Sequence, residues 1–144
     1  MQMTKFTDYA LRVLMVLATL PEDERVQVRA LAQQLSISEN HLIKVVHQLG
    51  KQGWLLTYRG KGGGFSLAPA AFTVSIGDVV RALEPSVTPI DCFRPTCPLQ
   101  GACGLERLLW QAQAAYLQQL DAVRLADLSV SEQLTRLNLA LQSS

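Results

Sequence analysis

A mainly α-helical fold carrying one small β hairpin is predicted by three features of the 144-residue chain. Apolar residues recur at helical spacing over most of its length. A single pair of short β-favouring runs, Trp54 to Tyr58 and Phe65 to Leu67, flanks a glycine-rich tip. A long amphipathic stretch begins at Leu105. With 49% apolar residues the chain can bury a core of its own.

The first predicted helix runs from Lys5 to Leu20, with Leu11, Leu14, Val16, Leu17 and Leu20 apolar, and ends at Pro21 before the acidic loop Glu22 to Glu24. Val28 to Leu35 reads as a second, short helix. A third opens after Ser36-Ile37-Ser38: Ser36 and Glu39 have capping-box spacing, and Ser38 is a further candidate cap. It extends to about Gly50, burying Leu42, Val45, Val46 and Leu49 while His41, Lys44, His47 and Lys51 face elsewhere. After the hairpin come a short helix near Ser75 to Leu83 and a Pro-punctuated loop from Glu84 to Gly104. The long helix follows, with Leu105, Leu109, Ala112, Tyr116, Leu120 and Val123 spaced as a packing seam. Ser131 to Leu141 reads as a weaker last helix with fraying residues beyond it.

Two short helices joined by a tight polar turn and followed by a basic hairpin make a winged helix-turn-helix. The fold class is therefore mainly α: a winged helix-turn-helix with a two-stranded wing and a long C-terminal helix. Charge distribution agrees with a polyanionic partner. The net charge is only +1, but residues 1–70 carry eight Lys/Arg against five Asp/Glu, whereas residues 71–144 carry five against seven. No acidic residue lies between Asn40 and Gly77, where Lys44, Lys51, Arg59 and Lys61 fall. The same charges also fit a solvated basic face. If the fold binds double-stranded DNA, Ser38, Asn40, His41 and Lys44 at the front of the third helix reach bases or flanking phosphates. Arg59 or Lys61 on the wing then enters a minor groove. A nucleotide-phosphate loop is excluded by pattern, because no G-x-x-x-x-G-K-[ST] occurs and the glycines open a strand. His41 and His47, at i and i+6, do not share a helix face as metal ligands would. Trp54 and Trp110 read as packing residues.

All three cysteines lie in Cys92-x4-Cys97-x5-Cys103. An odd count argues against a disulfide framework, and the paired C-x2-C knuckles of structural zinc are absent. Soft thiolates at wider spacing suit an iron-sulfur cluster, with zinc and redox-active bare thiols as alternatives. Three cysteines leave a cluster one ligand short, and Asp8, Asp91 and Glu106 are the candidate oxygen donors. An exchangeable fourth ligand suits sensing better than electron transfer.

Taken together, Phe6-Thr7-Asp8-Tyr9-Ala10-Leu11-Arg12, Ser36 to Leu49, the wing Arg59-Gly60-Lys61-Gly62-Gly63-Gly64, Ile76-Gly77-Asp78-Val79-Val80 and the three cysteines resemble the winged-helix iron-sulfur transcription regulators of the NsrR/IscR family. The resemblance covers nearly the whole chain. The x4 and x5 spacing and the run Ile76 to Pro85 are most similar to the nitric-oxide-sensing members, while Glu106 stands where the IscR-like members have a histidine. The resemblance implies a 4Fe-4S cluster, with 2Fe-2S the alternative, held by Cys92, Cys97 and Cys103 and completed by Asp8 from a second copy. It also implies a homodimer on a palindromic operator and repression released by nitric oxide. Response to iron or cluster supply is the alternative within the same fold.

The expected organisation is a DNA-binding region over residues 1–83, a cysteine loop over 84–104, and a dimerisation helix with its tail over 105–144. No eighteen-residue apolar run and no secretory h-region occur, so a cytoplasmic protein without a membrane partner is expected. No substrate constellation suggests an enzyme.

Overall fold

In the computed structural model, which describes residues 2–128 and 132–142, the chain is helical apart from one hairpin. Helix α1 (Lys5–Leu17) starts where the Thr4 hydroxyl accepts the Thr7 amide, and buries Ala10, Val13, Leu14 and Leu17 at helical spacing. It stops three residues short of the expected end. Pro21 forces the preceding residues out of the helix, and Ala18 to Leu20 form a turn that still buries Leu20.

Helices α2 (Val28–Leu35) and α3 (Glu39–Lys51) form the helix-turn-helix. Of the two candidate caps, Ser38 is the one used, its hydroxyl accepting the His41 amide at 3.3 Å. Ser36 instead takes a left-handed conformation (φ 54°) that ends α2, so the capping box expected from Ser36 and Glu39 does not form. The turn needed a terminator for one helix and a cap for the next, and the two serines divide those tasks.

The wing pairs β1 (Leu55–Tyr58) with β2 (Gly64–Leu67) antiparallel, Leu55 opposite Leu67 and Tyr58 opposite Gly64. Val26 adds a one-residue third rung: its amide donates to the Phe65 carbonyl at 2.8 Å and its carbonyl accepts the Phe65 amide at 3.0 Å. A side chain on Gly64 would meet the Val26 carbonyl at 2.6 Å, which explains the glycine there. One 3-10 turn (Pro69–Thr73) leads to α4 (Ile76–Leu83), capped by Ser75.

Helix α5 (Gly104–Asp121) packs on α4, and the chain then returns through α6 (Leu125–Leu128) to α7 (Glu132–Gln142), which lies against α1 and α2. The expected last helix is therefore present over Glu132–Gln142, while Ser131 and the end expected to fray lie outside the described residues. The core is continuous: Val13, Leu14, Leu31, Leu42, Val45, Leu49, Phe65 and Leu125 are fully enclosed. Each such Leu contributes roughly 1.5–3 kcal/mol by burial.

The seam read on α5 divides in two. Leu109, Tyr116 and Leu120, together with Gln113 and Leu117, are at least half-buried, whereas Leu105 is 58% exposed and Ala112 is exposed. Leu105, Leu108, Ala112 and Ala115, spaced by three and four, make a separate open stripe. No helix among the described residues is long and apolar enough to cross a membrane.

Candidate nucleic-acid interface and metal centre

The first turns of α3 hold Ser38, Asn40, His41 and Lys44, all exposed. Because Ser38 spends its oxygen lone pair on the His41 amide, its hydroxyl proton remains available as a donor to a ligand. Ile43, 49% exposed, lies one turn beyond Asn40, and sequence reasoning missed it. An apolar side chain in the open beside an Asn is suited to a thymine methyl group. The signal was available: Ile43 breaks the buried spacing set by Leu42, Val45, Val46 and Leu49.

Helix α1 contributes unexpectedly to the same surface. Lys5, Phe6 and Tyr9 line a cleft of about 250 Å³ with His41, Lys44 and Val45, and the Tyr9 and His41 rings are 6.2 Å apart. Lys5 and Lys44 thus border one cleft, although 39 positions separate them in sequence.

Arg59 and Lys61 stand exposed on the wing tip. Its turn closes through the Gly63 amide on the Gly60 carbonyl at 2.9 Å, and a Cβ on Gly63 would strike the Tyr58 carbonyl at 2.6 Å. A second missed residue, Arg25, organises the tip. Its guanidinium lies 3.7 Å over the Tyr58 ring and donates to the Gly62 carbonyl at 3.2 Å, while Gln27 donates to the Gly63 carbonyl at 2.7 Å. Arg25 sits behind three acidic residues in sequence, which masked its link to the wing.

The cysteine loop joins α4 to α5. Cys92 is buried at 8% exposure, Cys97 and Cys103 are half-buried, and all three are free thiols. The Cys97 amide donates to the Cys92 carbonyl at 3.1 Å, and Cys103 is the residue from which α5 starts. Burial pushes the Cys92 thiol above its ordinary range, and the negative charges of Glu106, Cys97, Cys103 and Asp91 push it further. Three soft thiols and the hard oxygen donors Asp91 and Glu106 are thus gathered along this loop and the start of α5. Among the described residues no three His, Cys, Asp or Glu side chains converge closely enough to hold one metal ion. Soft thiols of this kind are the ligands of zinc, copper(I) and iron-sulfur centres.

The three oxygen candidates differ. Asp91 turns back to accept the Phe93 amide at 2.9 Å, and Glu106 lies half-buried in the first turn of α5. Asp8 is away from the loop in sequence and is engaged on its own helix by Arg12, with contacts of 3.0 and 2.8 Å to its two oxygens.

A family model described as "Rrf2: Iron-dependent Transcriptional regulator" matches residues 3–131. The chain is 41% identical over 135 residues to the HTH-type transcriptional regulator NsrR of Bacillus licheniformis, covering 92% of this chain and 94% of that protein. It is 44% identical over 131 residues to NsrR of Geobacillus kaustophilus, covering 89% of each. Among solved structures, CymR, the global cysteine regulator of B. subtilis, superposes with a TM-score of 0.74 at 25% identity over 90% of this chain and 96% of that one. A winged helix-turn-helix with open polar and basic residues on α3 and the wing, matched along almost all its length, makes this chain a member of the Rrf2 family of DNA-binding transcription regulators.

Proposed function

We propose that the chain is a repressor whose operator affinity is governed by an iron-sulfur cluster, 4Fe-4S in preference to 2Fe-2S, on Cys92, Cys97 and Cys103, and that nitric oxide is its signal. The observation that carries this reading is the confinement of every cysteine to the one loop between α4 and α5. The similarity to two NsrR proteins supports it. When bound, the cluster supplies iron at which nitric oxide can react.

The rest falls to the chain's own residues. Cys92, Cys97 and Cys103 hold the loop in one conformation when their sulfurs are engaged, and the loop loses those ties when they are not. Asp8 serves as fourth ligand from a second copy by giving up at least one of its contacts to Arg12. Ser38, Asn40 and Ile43 read base edges, His41, Lys44 and Lys5 meet phosphates, and Arg59 and Lys61 follow the minor groove. The second copy covers the open apolar stripe of α5, where Leu105 and Leu108 are 58% and 59% exposed, together with Phe93 and Leu99 of the loop at 70% and 64%. Two heads then face a palindromic operator whose half-sites lie about one helical turn apart, roughly 34 Å.

Anaerobic purification, an absorption spectrum, iron and sulfide counts and operator titration test the assignment together. A coloured protein that loses colour and operator affinity in Cys97→Ala is expected; colourless protein that binds its operator normally refutes it. A second reading, response to iron or cluster supply, is favoured by the family model's description as iron-dependent. Titrating the loaded protein with nitric oxide and, separately, with an iron chelator separates the two by which treatment releases DNA.

A further inference from the structure

The contact between α4 and α5 is tight at one end and slack at the other. At the tight end Arg81 clamps Asp121 with two bonds, 2.5 and 2.7 Å, directly over Gly77, where any Cβ would overlap the Asp121 carboxylate. Backbone bonds reinforce this end: the Ile76 amide donates to the Val123 carbonyl at 2.9 Å and the Leu125 amide to the Val74 carbonyl at 3.0 Å, with Leu125 fully enclosed in the core.

Further toward the start of α5 the packing is looser. A half-open groove of about 210 Å³ lies between the end of α4 and the middle of α5, lined among others by Met3, Val80, Glu84, Val87, Gln113 and Tyr116. Gln113 is only 4% exposed, yet its carbonyl oxygen has no hydrogen-bond partner. Such an atom is costly, and a fixed joint would be expected to have closed on it. The opposite wall is firm. Glu84 accepts the Thr4 amide and hydroxyl, both at 2.9 Å, binding the start of α1 to the end of α4. Of the walls of this groove, the α5 side at Gln113 and Tyr116 is the one with no such hydrogen-bonded tie among the described residues.

We propose that α5 is a lever that pivots on the Arg81–Asp121 clamp, with the groove beside Gln113 as its room for travel and the cysteine loop at its far end. At 1.5 Å per residue, Gln113 lies about 12 Å and Cys103 about 27 Å from the pivot, so a shift of about 1 Å at the groove becomes about 2 Å at the loop. Arg81, Asp121 and Gln113 are positioning residues, since none touches DNA or a sulfur. The link to operator affinity rests on the cluster reading given above; the pivot itself does not.

Val87→Phe, and separately Thr88→Leu, place apolar volume in the groove from the loop that lines it. Two measurements decide. In the apo protein, hydrogen exchange of amides 105–113 should be faster than that of 117–121, and each filled variant should slow the first group alone. The ratio of operator affinities between loaded and apo protein, about 5- to 150-fold for a coupling of ordinary size, should fall toward unity in the filled variants. Exchange that is uniform along α5, or unaffected in both variants, overturns the pivot. So does a wild-type affinity ratio that both variants retain. A wild-type ratio of one defeats the cluster reading instead, and the exchange comparison then still decides the pivot.

Discussion

Arg25 offers a demanding test of how the wing is built. The guanidinium stacks at 3.7 Å on Tyr58 and donates at 3.2 Å to the Gly62 carbonyl, so Arg25→Ala removes both supports of a turn that otherwise rests on one short backbone bond and Gln27. A cation over an aromatic ring at an exposed site is worth about 0.5–1 kcal/mol. The hydrogen bond adds about as much once solvent competition is allowed for. The wing should therefore lose about 1–2 kcal/mol of organisation, a five- to thirtyfold loss of operator affinity per wing if all of it is recovered on binding. Arg25→Lys is the informative partner, because lysine keeps the charge but lacks the planar fork that stacks and donates together. Operator titration by fluorescence anisotropy over a range of salt reads both variants. Both should bind weakly, and the salt dependence of Arg25→Lys should match that of the wild type. Full rescue by lysine would show that Arg25 acts as a phosphate contact, and wild-type binding by Arg25→Ala would remove it from the interface.

Three further expectations follow from side chains with defined surroundings. Gln113→Leu removes the unpartnered buried oxygen and should stabilise the apo protein by about 1 kcal/mol in urea unfolding, raising Tm by about 3 °C; no gain would mean the amide is satisfied. Asp121 is held below the usual carboxylate range by the hydrogen bond and charge of Arg81. For Glu84 burial pushes upward, but hydrogen bonds from Thr7 and Thr4 outweigh it and leave the pKa lowered. Both groups therefore contribute stability that is complete above the unfolded carboxylate range and is lost as pH falls through the lowered folded values, so Asp121→Asn should flatten the acid limb of a stability–pH curve. An unchanged acid limb would show that the clamp is not formed in solution. On α3, Lys44→Gln should weaken all sequences alike and reduce the log–log salt slope by about 0.9 per protomer, whereas Ile43→Ser should relax preference at one base pair with the slope intact. Identical behaviour of the two variants would contradict the division of that face into base-reading and phosphate-binding parts.

Much of this was legible in the sequence because local rules act on neighbours. The periodicity of α3 separated Leu42, Val45, Val46 and Leu49 from His41, Lys44 and His47, and the structure buries the first set and exposes the second. The glycines of the wing and the cysteine spacing were equally plain. What escaped were contacts between distant segments. Lys5 borders a cleft with Lys44, Arg25 reaches the wing 37 positions away, and Arg81 meets Asp121 across 40. None of these carries a local signature. The seam of α5 was misread for a related reason: a helix with two apolar faces, one for α4 and one left open, has a composite spacing that one periodic pattern cannot resolve. Ser36 and Ser38 were each plausible caps, and only the left-handed turn between α2 and α3 decided between them.

The central claim is that the state of the Cys92–Cys103 loop sets affinity for DNA. The most direct measurement is one anaerobic preparation divided in two, one half kept loaded with iron and sulfide and the other stripped, both titrated on the same operator duplex at the same salt. The loaded protein is predicted to bind more tightly by at least about fivefold, and addition of nitric oxide should bring it to the stripped value. Coincident binding curves for the loaded and stripped halves would contradict the account.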